Sequence, residues 1–128
     1  MLNFIAANET AAVLEVIKDP SNKVLECNFY TEHSLYFSIK GIPDISFFLV
    51  IPVGYPYERL EICQISNGTT VGVAKKSIFN ITDTVLMIMM TVCIEFKKPI
   101  PSLALKLNFD LYLKWMFDLI NFGALKSQ

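Results

Sequence analysis

Charge is scarce in this chain, and what there is does not gather. Asp, Glu, Lys and Arg make up 18% of the 128 residues, and the formal net charge is -1. Neighbouring lysines occur only as the pairs Lys75–Lys76 and Lys97–Lys98. No basic block is available to neutralise a phosphate backbone, so nucleic acid is not an expected partner. Histidine occurs once, as His33, and the three cysteines, Cys27, Cys63 and Cys93, are far apart with no Cys-x-x-Cys. Four zinc ligands cannot be gathered from that set at workable spacing, and neither metal nor cofactor is expected. Glycine-rich phosphate loops are missing as well. The longest uncharged apolar run, Thr84 to Ile94, is far short of the ~20 residues of a membrane span. Met1 to Glu9 has no positive n-region and no long h-region, so no secretory leader is expected. The expected setting is intracellular, cytoplasm or nucleus, with the cysteines as reduced, buried thiols. The glycosylation-type triplets at Asn8 and Asn67 are then coincidental, and Asn80-Ile81-Thr82 reads better as a helix start.

Apolar side chains are abundant instead. They form 53% of the chain, with ten Phe, five Met and five Tyr. Such a surplus serves either a dense core or a surface that a partner covers. The length fits one domain, residues 1–128, with room for a real core.

Periodicity orders the elements. Phe4, Ala7, Ala11, Leu14 and Ile17 recur at helical steps over residues 4–18. Asp19-Pro20 stops that helix, because a residue before proline avoids the helical region. Leu25, Cys27 and Phe29 alternate with polar residues, as do Leu35, Phe37 and Ile39, which is the period of a half-buried strand. A two-residue Glu32-His33 turn would set the two apolar rows on opposite faces. A three-residue loop, 32–34, keeps them on one face by pairing Phe29 with Phe37 and Cys27 with Ile39, and is the expected register. It also sets Glu26 opposite Lys40 and Tyr30 opposite Tyr36. Gly41-Ile42-Pro43-Asp44 turns the chain into Ile45–Ile51, apolar on both faces and so central. Pairing Ile39 with Ile45 puts Phe37 opposite Phe47 and Tyr36 opposite Phe48, so that Tyr30, Tyr36 and Phe48 form a row across the outer face. Pro52 ends the strand. A fourth strand covers about 60–66, closed by Asn67-Gly68, and 69–80 reads as a loop. Residues 83–96, capped by Thr82 or Asp83, suit a strand in their Val and Ile; their Met, Leu and length favour a helix, which is the reading adopted. A last helix is expected over 103–121, with Leu107, Leu111, Trp115 and Leu119 in one stripe. The expected fold is α+β: N-terminal helix, four-stranded antiparallel meander, two C-terminal helices.

This order, with Val53-Gly54-Tyr55-Pro56 between two strands, resembles the RWD domain, a family that shares its core with the ubiquitin-conjugating enzymes. The family's Tyr-Pro-x-x-x-Pro junction is matched at Tyr55 and Pro56, while Leu60 stands at the second proline position. The resemblance implies a non-catalytic docking or scaffold unit of ubiquitin-related, translation-control or kinetochore assemblies. The residues themselves give the turn a structural role. Pro56 fixes its own backbone and holds Tyr55 extended, Gly54 is expected to supply an unusual backbone angle, and the Tyr55 ring can pack on the sheet while its hydroxyl ties down a loop.

Protein docking is the leading expectation, with Tyr30, Tyr36 and Phe48 as the candidate anchors. A second candidate is the Met-rich segment of Met87, Met89 and Met90, which is also a natural core. A degenerate ubiquitin-conjugating enzyme is the alternative, although the His-Pro-Asn segment of active members does not occur. Cys63 follows the Tyr-Pro turn too early, and Cys93 sits in apolar sequence that would hold it protonated. His33 in a hairpin loop, and Asp110 and Asp118 on the last helix, read as solvated residues. A pocket for a small apolar ligand between sheet and helices is the remaining alternative.

Overall fold

The computed structural model describes residues 3–66, 69–77 and 79–102, with 69–75 by backbone alone. Their order is α1 (Phe4–Lys18), β1 (Leu25–Thr31), β2 (Ser34–Ile39), β3 (Ile42–Val50), β4 (Leu60–Ser66), β5 (Thr69–Ser77) and α2 (Ile81–Glu95). The architecture is α+β, with one antiparallel sheet in the order β1-β2-β3-β4-β5. The sheet therefore has five strands rather than four, because the expected loop over 69–80 contains β5. Gly72, Ala74 and two lysines obscure it in the sequence. Its register with β4 also shifts between Ile62 and Gln64, which interrupts any period of two. The helix expected over 103–121 lies outside the described residues.

One face of the sheet carries the core. Leu35, Phe37, Ile39, Ile45, Phe47, Leu49, Leu60 and Ile62 pack there with Ala6 and Val13 of α1 and with Ile81, Val85, Ile88, Met89 and Val92 of α2. Full burial of a side chain such as Phe37 or Phe47 contributes roughly 1.5–3 kcal/mol. In α2, Ile81 and every residue from Thr84 to Cys93 are buried, as expected of a helix apolar all round. Met87, Met89 and Met90 are thus core, and the proposed Met-rich surface is not formed. Asn80 caps the helix, its side chain accepting from the Asp83 N–H at 2.8 Å, so the cap is neither Thr82 nor Asp83.

The α1 helix is turned away from its expected face. The buried residues are Ala6, Thr10 and Val13, with Val16 and Ile17 half-buried against the core. Phe4, Ala7 and Ala11 are exposed. Alanine and aliphatic residues occur all round this helix, so periodicity alone does not select a side. Asn3 caps it through Oδ1 to the Ala6 N–H at 3.0 Å, and its amide nitrogen also donates to the Tyr55 carbonyl at 2.7 Å. That bond and the Glu9 contacts described below determine the roll of the helix. At the other end, buried Asn22 uses its whole amide, donating to the Ile17 and Leu25 carbonyls and accepting from the Val24 and Leu25 N–H groups.

Two registers differ from expectation. The β1–β2 turn is the two-residue Glu32-His33, with Thr31 opposite Ser34, Tyr30 opposite Leu35 and Phe29 opposite Tyr36. A bulge between Cys27 and Phe29 then restores phase, so Cys27 faces Phe37 and Leu25 faces Ile39. The extra residue, Asn28, lets Leu25 and Cys27 face the core with Phe37 and Ile39 although the turn is short, while Phe29 is left on the outer face. Glu26 lies opposite Ser38, whose hydroxyl donates to it at 3.1 Å, rather than opposite Lys40. Across β2–β3, Phe37–Phe47 and Tyr36–Phe48 pair as expected, but Ile39 meets Ile42, not Ile45. A tight turn at Lys40-Gly41, with Gly41 at φ +82°, brings Ile42 into the ladder, and a register shift follows.

Candidate functional site

The bulge at Asn28 composes the outer face. Phe29, Tyr36 and Phe48 stand side by side on β1, β2 and β3. Their ring centroids lie 4.0 Å apart between Phe29 and Tyr36 and 4.3 Å apart between Tyr36 and Phe48, with interplanar angles of 22° and 17°. Such pairs contribute about 0.5–1.5 kcal/mol beyond the area they bury. Phe29 is 53% exposed and the other two rings are half-buried. Cys63 of β4, opposite Phe48, continues the row. The rings stack along the direction in which strands are spaced at about 4.8 Å. They therefore stand upright on the sheet. Tyr36 has both ring faces covered and shows its edge outward. Ring edges carry the positive end of the aromatic quadrupole and favour contact with a partner's ring face or with acceptor oxygens.

Of the three anchors read from the sequence, Tyr36 and Phe48 meet and Tyr30 does not join them. Tyr30 pairs with buried Leu35, so its side chain lies on the α1 side of the sheet, 56% exposed at the β1 edge. Phe29 takes its place. The two-residue turn considered from the sequence carries this signal, since it sets Phe29 opposite Tyr36.

The Tyr55-Pro56 turn, whose peptide bond is cis, is a node between three segments. The Tyr55 ring is buried in the core. Its hydroxyl donates to the Glu9 carboxylate of α1. The Ile81 N–H, at the start of α2, donates to Glu9 Oε1 at 2.9 Å and to the Tyr55 hydroxyl oxygen at 3.1 Å. Ile81 is in the first turn, where backbone N–H groups have no partner within the helix, and the carboxylate supplies one. Burial, and next the hydrogen bond to Glu9, push the Tyr55 phenol far above its ordinary range. Asp83 is raised by burial first and by the Glu9 charge second. Glu9 has no motif in the sequence that could have announced it, and Asn3 carries only the general signal of a cap residue just before a helix. Gly54 does not adopt the unusual angle expected of it: among the described glycines only Gly41 has positive φ. A Cβ at Gly54 would meet the end of the Glu58 side chain at 2.8 Å, which is free to move.

The three thiols are free. Burial raises Cys27 and Cys93 above the ordinary thiol range, and burial with the Glu61 charge raises Cys63. Cys93 is buried and its Sγ donates to the Pro99 carbonyl at 3.4 Å. Among the described residues no three His, Cys, Asp or Glu side chains gather as a metal-binding group, and no helix is long and apolar enough to cross a membrane. Comparison with protein-family models, with curated proteins and with solved structures gave no match.

Proposed function

We propose that this chain is a non-catalytic protein-docking domain of the RWD type, acting as a subunit or adaptor in a larger assembly. The observation that carries the reading is the Phe29–Tyr36–Phe48 stack on a face that, among the described residues, takes no part in the core. Large rigid aromatics on a sheet anchor interfaces at low entropic cost. The stack favours a protein over a nucleic acid, because base recognition by stacking needs free ring faces. The helix, antiparallel meander and helix with a Tyr-Pro turn after β3 accord with the RWD resemblance, as does the linking role of Tyr55. The raised thiols disfavour a conjugating enzyme, whose cysteine must reach the thiolate.

The test is affinity capture from the source cell with wild-type protein and with the Tyr36→Ala, Phe48→Ala double variant, read by quantitative mass spectrometry. Truncating central anchors costs about 2 kcal/mol or more, roughly a 30-fold loss of affinity. A specific set of proteins should disappear from the double variant while its thermal unfolding stays cooperative. Identical captures with both proteins would sink the outer-face assignment.

A further inference from the structure

A second surface lies on the other side of the β1 edge. An open groove of about 420 Å³ runs between α1 and the end of the β1–β2 hairpin, with Ala7, Ala11 and Leu14 on one wall and Tyr30, Glu32 and His33 on the other. The wall on α1 is the apolar stripe that its roll has turned out of the core. The groove adjoins an open edge, since β1 is the last strand of the sheet and among the described residues pairs with β2 alone. Thr31 and Ser34 close a two-residue turn. Such a closing pair exchanges its backbone hydrogen bonds, so at the next residue, Tyr30, the N–H and C=O point away from β2. Backbone groups for strand addition and an apolar trough for a side chain are therefore adjacent.

We infer that this edge and groove bind an extended, cationic peptide segment of a partner protein as an added strand. Main-chain bonds to the edge supply affinity, and an alternate apolar side chain fills the trough. Charge selects the peptide's sign: exposed Glu26 and Glu32 bracket the exposed part of β1, and residues 25–33 contain no Lys or Arg. A second copy of this chain fits poorly. Phe29 and Tyr30, 53% and 56% exposed, offer on the order of 200 Å², against about 800 Å² per partner in a stable interface.

Two fluorescent capped peptides test this, both alternating leucine and threonine, one ended by lysines and the other by glutamates. Fluorescence anisotropy should show the lysine peptide binding at least 10-fold tighter. It should slow hydrogen exchange of the Tyr30 amide. Ala11→Arg, which fills the trough from an exposed helix position, should cut binding at least 10-fold, and Glu32→Lys should weaken it and flatten its salt dependence, both with unchanged circular dichroism. The Tyr36→Ala, Phe48→Ala double variant should bind the peptide normally, which separates this site from the outer stack. The inference is overturned if neither peptide binds, if both bind equally, or if Ala11→Arg binds like wild type. It is also overturned if the outer-stack variant loses the peptide, if a fluorescent fatty acid displaces it, or if sedimentation shows the groove closed in a dimer.

Discussion

Replacing Tyr55 by Phe removes one hydroxyl and tests the node that joins α1, the turn and α2. At neutral pH the hydroxyl donates to the Glu9 carboxylate, and Ile81 N–H still reaches Glu9 Oε1 when the hydroxyl is gone. The loss is then one hydrogen bond to a charged acceptor, about 1.5–3 kcal/mol. The pH dependence is more diagnostic. Tyr55 holds its proton far more tightly in the folded chain than in the unfolded one, where it titrates at the ordinary phenol value of 10.0. Above that pH the unfolded chain has released this proton and the folded chain has not. Stability from this residue is therefore complete below pH 10 and declines as pH rises, by about 1.4 kcal/mol per pH unit. The Phe variant lacks this slope. Urea unfolding at pH 7, 10 and 11 should show the wild-type advantage shrinking by about 1.4 kcal/mol between neutral pH and pH 11. Titration of the other tyrosines is common to both proteins and cancels in the difference. An advantage that stays constant from pH 7 to 11 would refute the raised phenol, and a variant as stable as wild type at pH 7 would refute the node.

Gln64 is fully buried on the core face of β4, and among the described residues neither its Nε2 nor its Oε1 has a hydrogen-bond partner. Gln64→Met keeps the length and removes two unpaired polar atoms, so it should raise the unfolding free energy by about 1–3 kcal/mol, seen as a higher urea midpoint at unchanged slope; a lower midpoint would mean that the amide is satisfied. Gly41 and Gly54 should respond differently to alanine. Gly41→Ala, at φ +82°, should cost about 1 kcal/mol or more, whereas Gly54→Ala should stay within about 0.5 kcal/mol, and thermal melts of both variants would expose the opposite order.

Local chemistry was legible in the sequence. Asp19-Pro20 stops α1 where expected, the third strand ends just before Pro52, and β4 covers Leu60–Ser66. The pairings Phe37–Phe47 and Tyr36–Phe48 follow from alternation in two strands that share a core face. Less of the candidate site could be read. The expected three-residue loop depended on an unbroken β1, and one inserted residue, Asn28, exchanged Phe29 for Tyr30 on the outer face. A bulge has no sequence mark of its own: it forms because a short turn and a buried face are both satisfied only by one extra residue. Strand β5 is hidden because its pairing is irregular and because Gly72, Ala74 and two lysines interrupt its Thr and Val residues.

By itself, then, the sequence determined that α1, β1 to β4 and α2 are helical or extended and in what order they follow, because alternation and prolines act within a few residues. Tertiary structure alone decided which side of α1 meets the core, where the extra residue in β1 falls, and that Glu9 and Tyr55 share the first N–H of α2. Each of these depends on contacts between residues far apart in the chain. A helix with apolar residues all round can roll either way until Asn3 and Glu9 find their partners on the Tyr55 turn and at the start of α2.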